Sequence, residues 1–202
     1  KPKRMKDFIL EFYETIHNAK PNKAHYVLSE IEKMGILNCV ITQNVDNLHQ
    51  DAGSVNVIEL HGNMLKFKCM NCKKKYVLGS EKLEELINRL KKASRVELIR
   101  LILPKCKCGG RYRVDVVLFG ESLPQDELAK AYGELLKAHS LLLIGTSGVI
   151  YPAASLPYFA YDKGVKIIEI NPYHTALSHL ADYTILDKAT EAVPRIFESM
   201  YK

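Results

Sequence analysis

Short runs of β-branched and aliphatic residues, each closing abruptly on a polar or glycine-containing cluster, constrain this chain more than any other feature. Val40-Ile41 runs into Thr42-Gln43-Asn44-Val45-Asp46, and Val57 to Leu60 runs into His61-Gly62. Leu141 to Ile144 runs into Gly145-Thr146-Ser147-Gly148, and Val165 to Ile170 into Asn171-Pro172. Runs of this length and composition read as buried strands. Val116 to Phe119 and Tyr183 to Leu186 read as two more. Between them the apolar residues fall at helical spacing: Phe8, Phe12 and Ile16; then Ala24, Val27, Leu28, Ile31 and Met34; then Leu128, Ala131, Leu135 and Leu136. Gly35 is expected to stop the helix that carries Ala24 to Met34, and further helices are expected around 152–162 and 192–200. Strands alternating with helices predict an α/β fold, a doubly wound parallel sheet with helices on both faces. In such sheets ligands bind beyond the carboxyl ends of the strands, so the polar clusters are where a site is expected.

Each cluster carries groups with two readings. An imidazole at a strand end, as at His61, is suited to general base work because its ordinary pKa is about 6.5, yet a histidine beside a strand also serves as a satisfied structural residue. Gln43, Asn44 and Asp46 either line a site or cap the turn that follows, since Asn and Asp readily bond nearby backbone. Around Gly145, Thr146 and Ser147, glycine lets backbone amides approach a phosphate and the hydroxyls can donate to it, although the string is not GxGxxG. Asn171 either bonds a nucleotide ribose or caps a turn. His25, inside a helix, reads as a packing or hydrogen-bonding residue.

Residues 66–113 read as an inserted module. Cys69-Met-Asn-Cys72 and Cys106-Lys-Cys108-Gly-Gly bracket a lysine-rich strand and a helix. That helix has Ser80 as N-cap, Glu81, Glu84 and Glu85 in its first turns, and Leu83, Leu86, Ile87 and Leu90 as its packing stripe. Four cysteines in two close pairs suit tetrahedral zinc in a closed, structural zinc-ribbon site, with Cys69, Cys72, Cys106 and Cys108 as ligands. The second pair is C-x-C, so its knuckle must be tight. Cys39, in a strand, reads as a small core residue.

ITQNVDNLH followed by ELHG, with PNKAH at 21–25, VVLFGESLP at 116–124, GTSGVIYPAASLP at 145–157 and INP at 170–172, resembles the sirtuin family of NAD-dependent protein lysine deacylases. The pieces stand in the family's order and cover nearly the whole chain. The resemblance implies a Rossmann-like NAD-binding domain over 1–65 and 114–202, with the zinc module at 66–113. It implies NAD as co-substrate and structural Zn2+, with the acyl group passed from lysine to ADP-ribose and nicotinamide released. His61 is then the catalytic base. Gln43 and Asn44 line the nicotinamide and ribose end of the pocket, Asp46 orders it, and His49 is structural. Gly145, Thr146 and Ser147 meet the phosphates, Asn171 the ribose, and Ala189 marks a loop against adenine. An acyl-lysine peptide is expected to add as a strand along Val117, Phe119, Gly120 and Glu121 and the loop at Val149, with Val117, Phe119 and Val149 around the lysine stem or in plain core. Partners are acyl-lysine proteins or peptides, chromatin proteins among them.

Two departures and two rivals accompany this reading. The family's opening GAGxSxxSGIPDFR segment has no counterpart here, so residues preceding Lys1 are expected in the whole protein, and a chain truly beginning at Lys1 would have impaired activity. Val114 stands where the family usually has proline. One rival is a non-catalytic zinc-ribbon module contacting nucleic acid through Lys66, Lys68, Lys73, Lys74 and Lys75; it leaves QNVD and LHG without a job, and direct nucleic-acid binding is not expected. The other keeps the fold as a mono-ADP-ribosyltransferase or NAD sensor. At 202 residues and 47% hydrophobic the chain can bury a substantial core. No run approaches the roughly 18 to 20 uncharged apolar residues of a membrane span, and KPKRMKDF has no secretory apolar segment, so no membrane partner and a cytoplasmic location are expected. The net charge of +6 reads as a solvated basic surface.

Overall fold

The computed structural model describes residues 18–77, 80–93, 106–118 and 120–199, with a few helical positions between 7 and 15. The expectations placed on Phe8, Phe12, Ile16, Phe119 and the side chains of Ser80, Glu81, Leu83, Leu86 and Leu90 lie outside the described residues. In chain order the elements are α1 (Lys23–Lys33), β1 (Val40–Thr42), α2 (Leu48–Asp51), β2 (Val57–Glu59), β3 (Gly62–Cys69), β4 (Lys75–Val77), α3 (Ser80–Lys92), β5 (Tyr112–Val116), α4 (Gln125–Leu135), β6 (Ser140–Ile144), α5 (Ser155–Asp162), β7 (Lys166–Ile170), a 3-10 turn (Ser178–Leu180), β8 (Tyr183–Ile185) and α6 (Ala189–Ser199). They form two compact units. One takes in residues up to Ala19, Asn44–Asn47 and Gly62–Leu118; the other takes in Lys20–Gln43, Leu48–His61 and Phe119–Lys202.

The larger unit is the parallel α/β body. Its strands form two ladders: β1 pairs with β2, and β6, β7 and β8 pair in that order, every pairing parallel. Among the described residues no strand joins β1 to β6. β7 lies at the centre of its ladder, and Ile167, Glu169 and Ile170 are almost wholly removed from solvent. A central parallel strand is covered on both faces, which is why its sequence reads as a continuous apolar run.

α1 begins where the sequence places it. The Asn22 side-chain oxygen accepts from the amides of Ala24 and His25 at 3.0 and 3.3 Å, and the His25 Nδ1 accepts from the Asn22 amide at 3.2 Å. This is a reciprocal cap with an imidazole in the place usually held by glutamate. The helix packs Ala24 and Leu28 against Ala192 and Val193 of α6 and against Ile170, with Val27, Leu37, Ile144, Ile185 and Ile196 around them. Burying a side chain the size of Leu28 or Ile170 stabilises the fold by about 1.5–3 kcal/mol. Cys39 is half-buried, and burial pushes its thiol up to about 11, in keeping with an inert packing residue.

The smaller unit is antiparallel, in the order β4-β3-β5. Phe67 faces Tyr76 on one side and Val114 on the other, and the register of β3 against β5 shifts between Asn63 and Phe67. This unit is wider than the 66–113 stretch expected from sequence, because β3 begins pairing at Gly62, opposite Val116. For the same reason the strand expected at Val116 to Phe119 stands instead at Tyr112–Val116 and runs antiparallel to β3, not in the parallel body. Asp115 is buried there between Lys75 at 3.3 Å and Lys68 at 3.9 Å. In α3, Ile87 is buried against Leu10, Tyr13 and Ala93. Among the described residues no helix is long and apolar enough to cross a membrane.

Candidate functional site

The ends of three strands of the larger unit, β1, β6 and β7, meet at Thr146. Its hydroxyl accepts from the Gln43 side-chain amide at 3.4 Å, and its carbonyl accepts from the Asn171 side-chain amide at 3.2 Å. Gln43 follows β1, Thr146 follows β6 and Asn171 follows β7. His61, two residues beyond β2, joins the same line by hydrogen-bonding to the Gln43 backbone. β1 and β2 stay in register to that point, since the Leu60 amide donates to the Thr42 carbonyl at 3.0 Å. The turn after β6 is tied to β7 by the Gly145 amide, which donates to the Ile170 carbonyl at 3.0 Å.

His61 is half-buried, and burial pushes its pKa below 6.5, partly offset by the bond to the Gln43 backbone. With its pKa lowered, the imidazole is neutral at neutral pH, the form a general base requires.

The remaining expected residues fall as follows. Ser147 is exposed beside Thr146. Ala189 is half-buried and packs on the Ala24, Leu28 and Ile170 core as the first residue of α6, so it belongs to a helix and not to the loop expected from the family. Asn44 and Asp46 belong to the smaller unit. There Asn47, at φ +69°, accepts from the Asn63 side-chain amide at 2.8 Å, and the Met64 amide donates to the Val45 carbonyl at 2.9 Å. His49 stacks obliquely on His25, ring centroids 4.7 Å apart, which agrees with a structural part for both. Val117 is half-buried, Gly120 and Glu121 are exposed, and none of them lies in a strand. Val149 is 61% exposed and so is not core. Ile150 and Tyr151, which follow it, are exposed as well.

The four paired cysteines converge. All four sulfurs lie within 4.8 Å of one another, with Cys69 to Cys108 at 3.5 Å and Cys72 to Cys106 at 3.7 Å. Tetrahedral zinc with Zn–S bonds of about 2.3 Å requires sulfurs about 3.8 Å apart, which is this spacing and far longer than a disulfide. Backbone amides point at the sulfurs. The Cys72 amide draws the Cys69 thiol down, and the Cys108 amide, helped by the Tyr112 hydroxyl, draws the Cys106 thiol down to about 6. At Cys72 the Lys74 amide acts in the same sense but is outweighed by the neighbouring thiols of Cys108 and Cys69, which push it up to about 11. Four sulfurs gathered this closely are a donor set suited to one dication.

The tight C-x-C knuckle closes through the Gly109 amide on the Cys106 carbonyl and the Cys106 amide on the Gly110 carbonyl, both 2.8 Å. A Cβ at Gly110 would stand 2.7 Å from the Cys69 sulfur and 2.9 Å from the Asn71 side chain. Only glycine leaves room for the metal-bearing sulfur. Cys69, Cys72, Cys106 and Cys108 thus fit a structural zinc ion, and no protein ligand is left open for catalysis.

Sequence reasoning missed the polar groups that hold these loops. Gln50 donates to the buried Glu59 at 2.6 Å. Glu32 accepts from the amides of Val55 and Asn56, and buried Glu169 accepts from Thr175 and Ser178. The signal available was a lone acidic residue inside an apolar strand, Glu59 and Glu169 alike, which must find partners when buried.

A parallel α/β body with amide, hydroxyl and imidazole groups gathered at its strand ends, together with a four-cysteine module, defines a nucleotide-using α/β protein that carries a structural zinc. The Sir2 family model matches residues 1–152, and the chain belongs to that family. An NAD-dependent protein deacylase of Pyrococcus abyssi (strain GE5 / Orsay) is 45% identical over 194 residues, covering 93% of this chain and 73% of the relative. A solved Sir2 homolog in complex with NAD superposes with a TM-score of 0.82 at 39% identity, over 100% of this chain and 73% of that one. A Sir2 protein bound to an acetylated peptide superposes with a TM-score of 0.78 at 36% identity, over 95% of this chain and 77% of that one.

Proposed function

We infer that this protein is an NAD-dependent protein lysine deacylase, which moves the acyl group from a lysine side chain to ADP-ribose and releases nicotinamide. The observation that carries the site assignment is the hydrogen-bonded line from His61 through Gln43 and Thr146 to Asn171, which brings four strand ends to one edge of the parallel body. The residues present fit NAD: side-chain amides and hydroxyls for ribose and nicotinamide, a glycine-bounded turn for phosphate, and a neutral imidazole. When bound, NAD supplies an anomeric carbon with a cationic leaving group, so deacylation needs no metal hydroxide.

The chain's own groups then have distinct tasks. His61, neutral and beside the Gln43 backbone, accepts the proton of the ribose hydroxyl that must become nucleophilic. Asn171 and Thr146 hold the turn that meets the phosphates and ribose, and Gln43 orients the end nearer the imidazole. Exposed Val149, Ile150 and Tyr151 offer the peptide an apolar edge just past that turn. The four cysteines hold zinc and take no part in bond making. Acyl-lysine peptides are the substrate class, and chromatin proteins are the acylated proteins we would test first.

The test is incubation with acetyl-lysine peptide with and without NAD, following nicotinamide release and peptide mass, with His61→Ala as control. Loss of the acetyl mass only with NAD, and only in the wild type, supports the reading. Nicotinamide release with a mass gain on protein would make it a transferase instead.

A further inference from the structure

Glu169 is a charged residue type in the middle of the central strand β7, only 1% exposed, two positions before Asn171. Its two oxygens are engaged separately. Thr175 Oγ1 donates to Oε1, and Ser178 Oγ donates to Oε2 at 2.5 Å. Each hydroxyl also accepts a backbone amide: Leu177 N donates to Thr175 Oγ1 at 3.1 Å, and Thr175 N donates to Ser178 Oγ at 2.8 Å. A hydroxyl that accepts from an amide has its single proton to give elsewhere, and here both protons go to Glu169. The carboxylate therefore fixes the whole of Thr175–Ser178 onto β7.

What this anchor holds is Leu177. That side chain is 1% exposed and lies directly against Gly148, where a Cβ would overlap its Cγ and both methyl carbons. Gly148 closes the turn whose other end is bonded to Ile170 and Asn171. The Gly145–Gly148 turn is thus held from two sides by one strand: by Asn171 at its front, and by Leu177 at its back through Thr175, Ser178 and Glu169.

We propose that Glu169 is a positioning residue for the nucleotide pocket, setting the Gly145–Gly148 turn at the distance that phosphate binding requires without itself touching the nucleotide. The proposal rests on the assignment of that turn to NAD. Its geometric part, the anchoring of the turn, stands apart from that assignment and can be read without ligand.

The experiment compares wild type with Glu169→Gln, Thr175→Ser, Thr175→Val and Leu177→Ala in the full-length protein. Glutamine keeps the shape but offers one acceptor oxygen and a donating amide, so one hydroxyl loses its acceptor. Four quantities are measured: the thermal midpoint, amide exchange of residues 145–149, the Kd for ADP-ribose, and KM for NAD against KM for acetyl peptide. Glu169→Gln, Thr175→Val and Leu177→Ala should speed exchange at 145–149 and weaken ADP-ribose and NAD about five- to tenfold, with peptide KM within twofold. Thr175→Ser, which keeps the hydroxyl, should restore wild-type values. Should Glu169→Gln fail to fold, Thr175→Val and Leu177→Ala decide by the same readouts. Wild type failing to bind ADP-ribose would remove the nucleotide assignment, and the proposed role in the pocket with it, while exchange would still report whether the anchor exists. Folded variants with unchanged exchange and ADP-ribose affinity would overturn the proposal, as would equal losses toward NAD and peptide that simply follow the thermal midpoint.

Discussion

The imidazole of His61 hydrogen-bonds with the backbone of Gln43, which offsets part of the lowering that burial imposes on its pKa. The base is therefore oriented by main chain, and no mutation of the Gln43 side chain removes its partner. The ring's place beside Gln43 is set by β1 and β2 keeping their parallel register up to Leu60 and Thr42. A substitution that shifts this register would misplace the base without touching it.

His61→Ala should lower deacylation by about 10²- to 10⁴-fold, the usual worth of a positioned general base, while ADP-ribose binding stays within about threefold. Single-turnover kinetics and calorimetry on the same preparation check this. An inactive variant that also fails to bind ADP-ribose would mean that His61 shapes the pocket.

Burial places the folded pKa of His61 below its ordinary 6.5. The acid limb of kcat/KM should therefore lie below pH 6.5, since the base form survives to lower pH than a free imidazole allows. The unfolded chain takes up this proton first as pH falls. The group thus contributes nothing to the pH dependence of stability above about 6.5 and destabilises the fold progressively below it. A pH–rate profile, with denaturant melts of wild type and His61→Ala on either side of this value, measures both.

Thr146→Val keeps the carbonyl used by Asn171 and the side-chain shape but removes the hydroxyl that accepts from Gln43. One lost hydrogen bond of about 0.5–1.5 kcal/mol predicts a thermal midpoint lower by a few degrees, and looser seating of the turn predicts weaker ADP-ribose binding. Asn171→Ala removes the other half, and because both bonds share Thr146 the double variant should depart from the sum of the two single effects.

Colorimetric metal release should find one zinc per chain, freed by a mercurial thiol reagent and absent in Cys106→Ser. The ion ties the two knuckles together beyond the β3–β5 ladder and the Met70 amide on the Arg111 carbonyl, so its removal should destabilise β3-β4-β5 and lower its melting point. Retention of near-native circular dichroism and melting after metal loss would contradict this.

Glu32 lies far from any expected chemistry, yet its carboxylate accepts from the Asn56 amide at 2.6 Å and the Val55 amide at 3.1 Å, holding the loop that enters β2. Glu32→Ala should cost about 1–3 kcal/mol of stability, read from urea melts, with the pH profile of activity unchanged.

Much of this arrangement was legible in the residues. Apolar runs ending at Gln43, His61, Thr146 and Asn171 marked strands, and parallel pairing puts the ends of neighbouring strands on the same side, where these polar groups now bond one another. The cysteine spacing anticipated the zinc ligands, since four thiols in two tight turns have few other ways to satisfy one another. The error at Val116 has a physical source. A buried apolar run does not say which strand it pairs with, and Tyr112–Val116 takes β3 as its neighbour. Ala189 was placed by resemblance alone, and it stands at the junction where the 186–188 loop becomes α6. The partners of Glu169 were hidden for a different reason: hydroxyls at 175 and 178 become ligands only once the chain has turned back over β7.

Thr146 serves two masters with different atoms, its hydroxyl for the strand on one side and its carbonyl for the strand on the other. Gln43 and Asn171 should accordingly be energetically coupled although they never touch, and a double-mutant cycle between them should show it. Whatever seats itself at one end of this pocket will be felt at the other through a single shared residue.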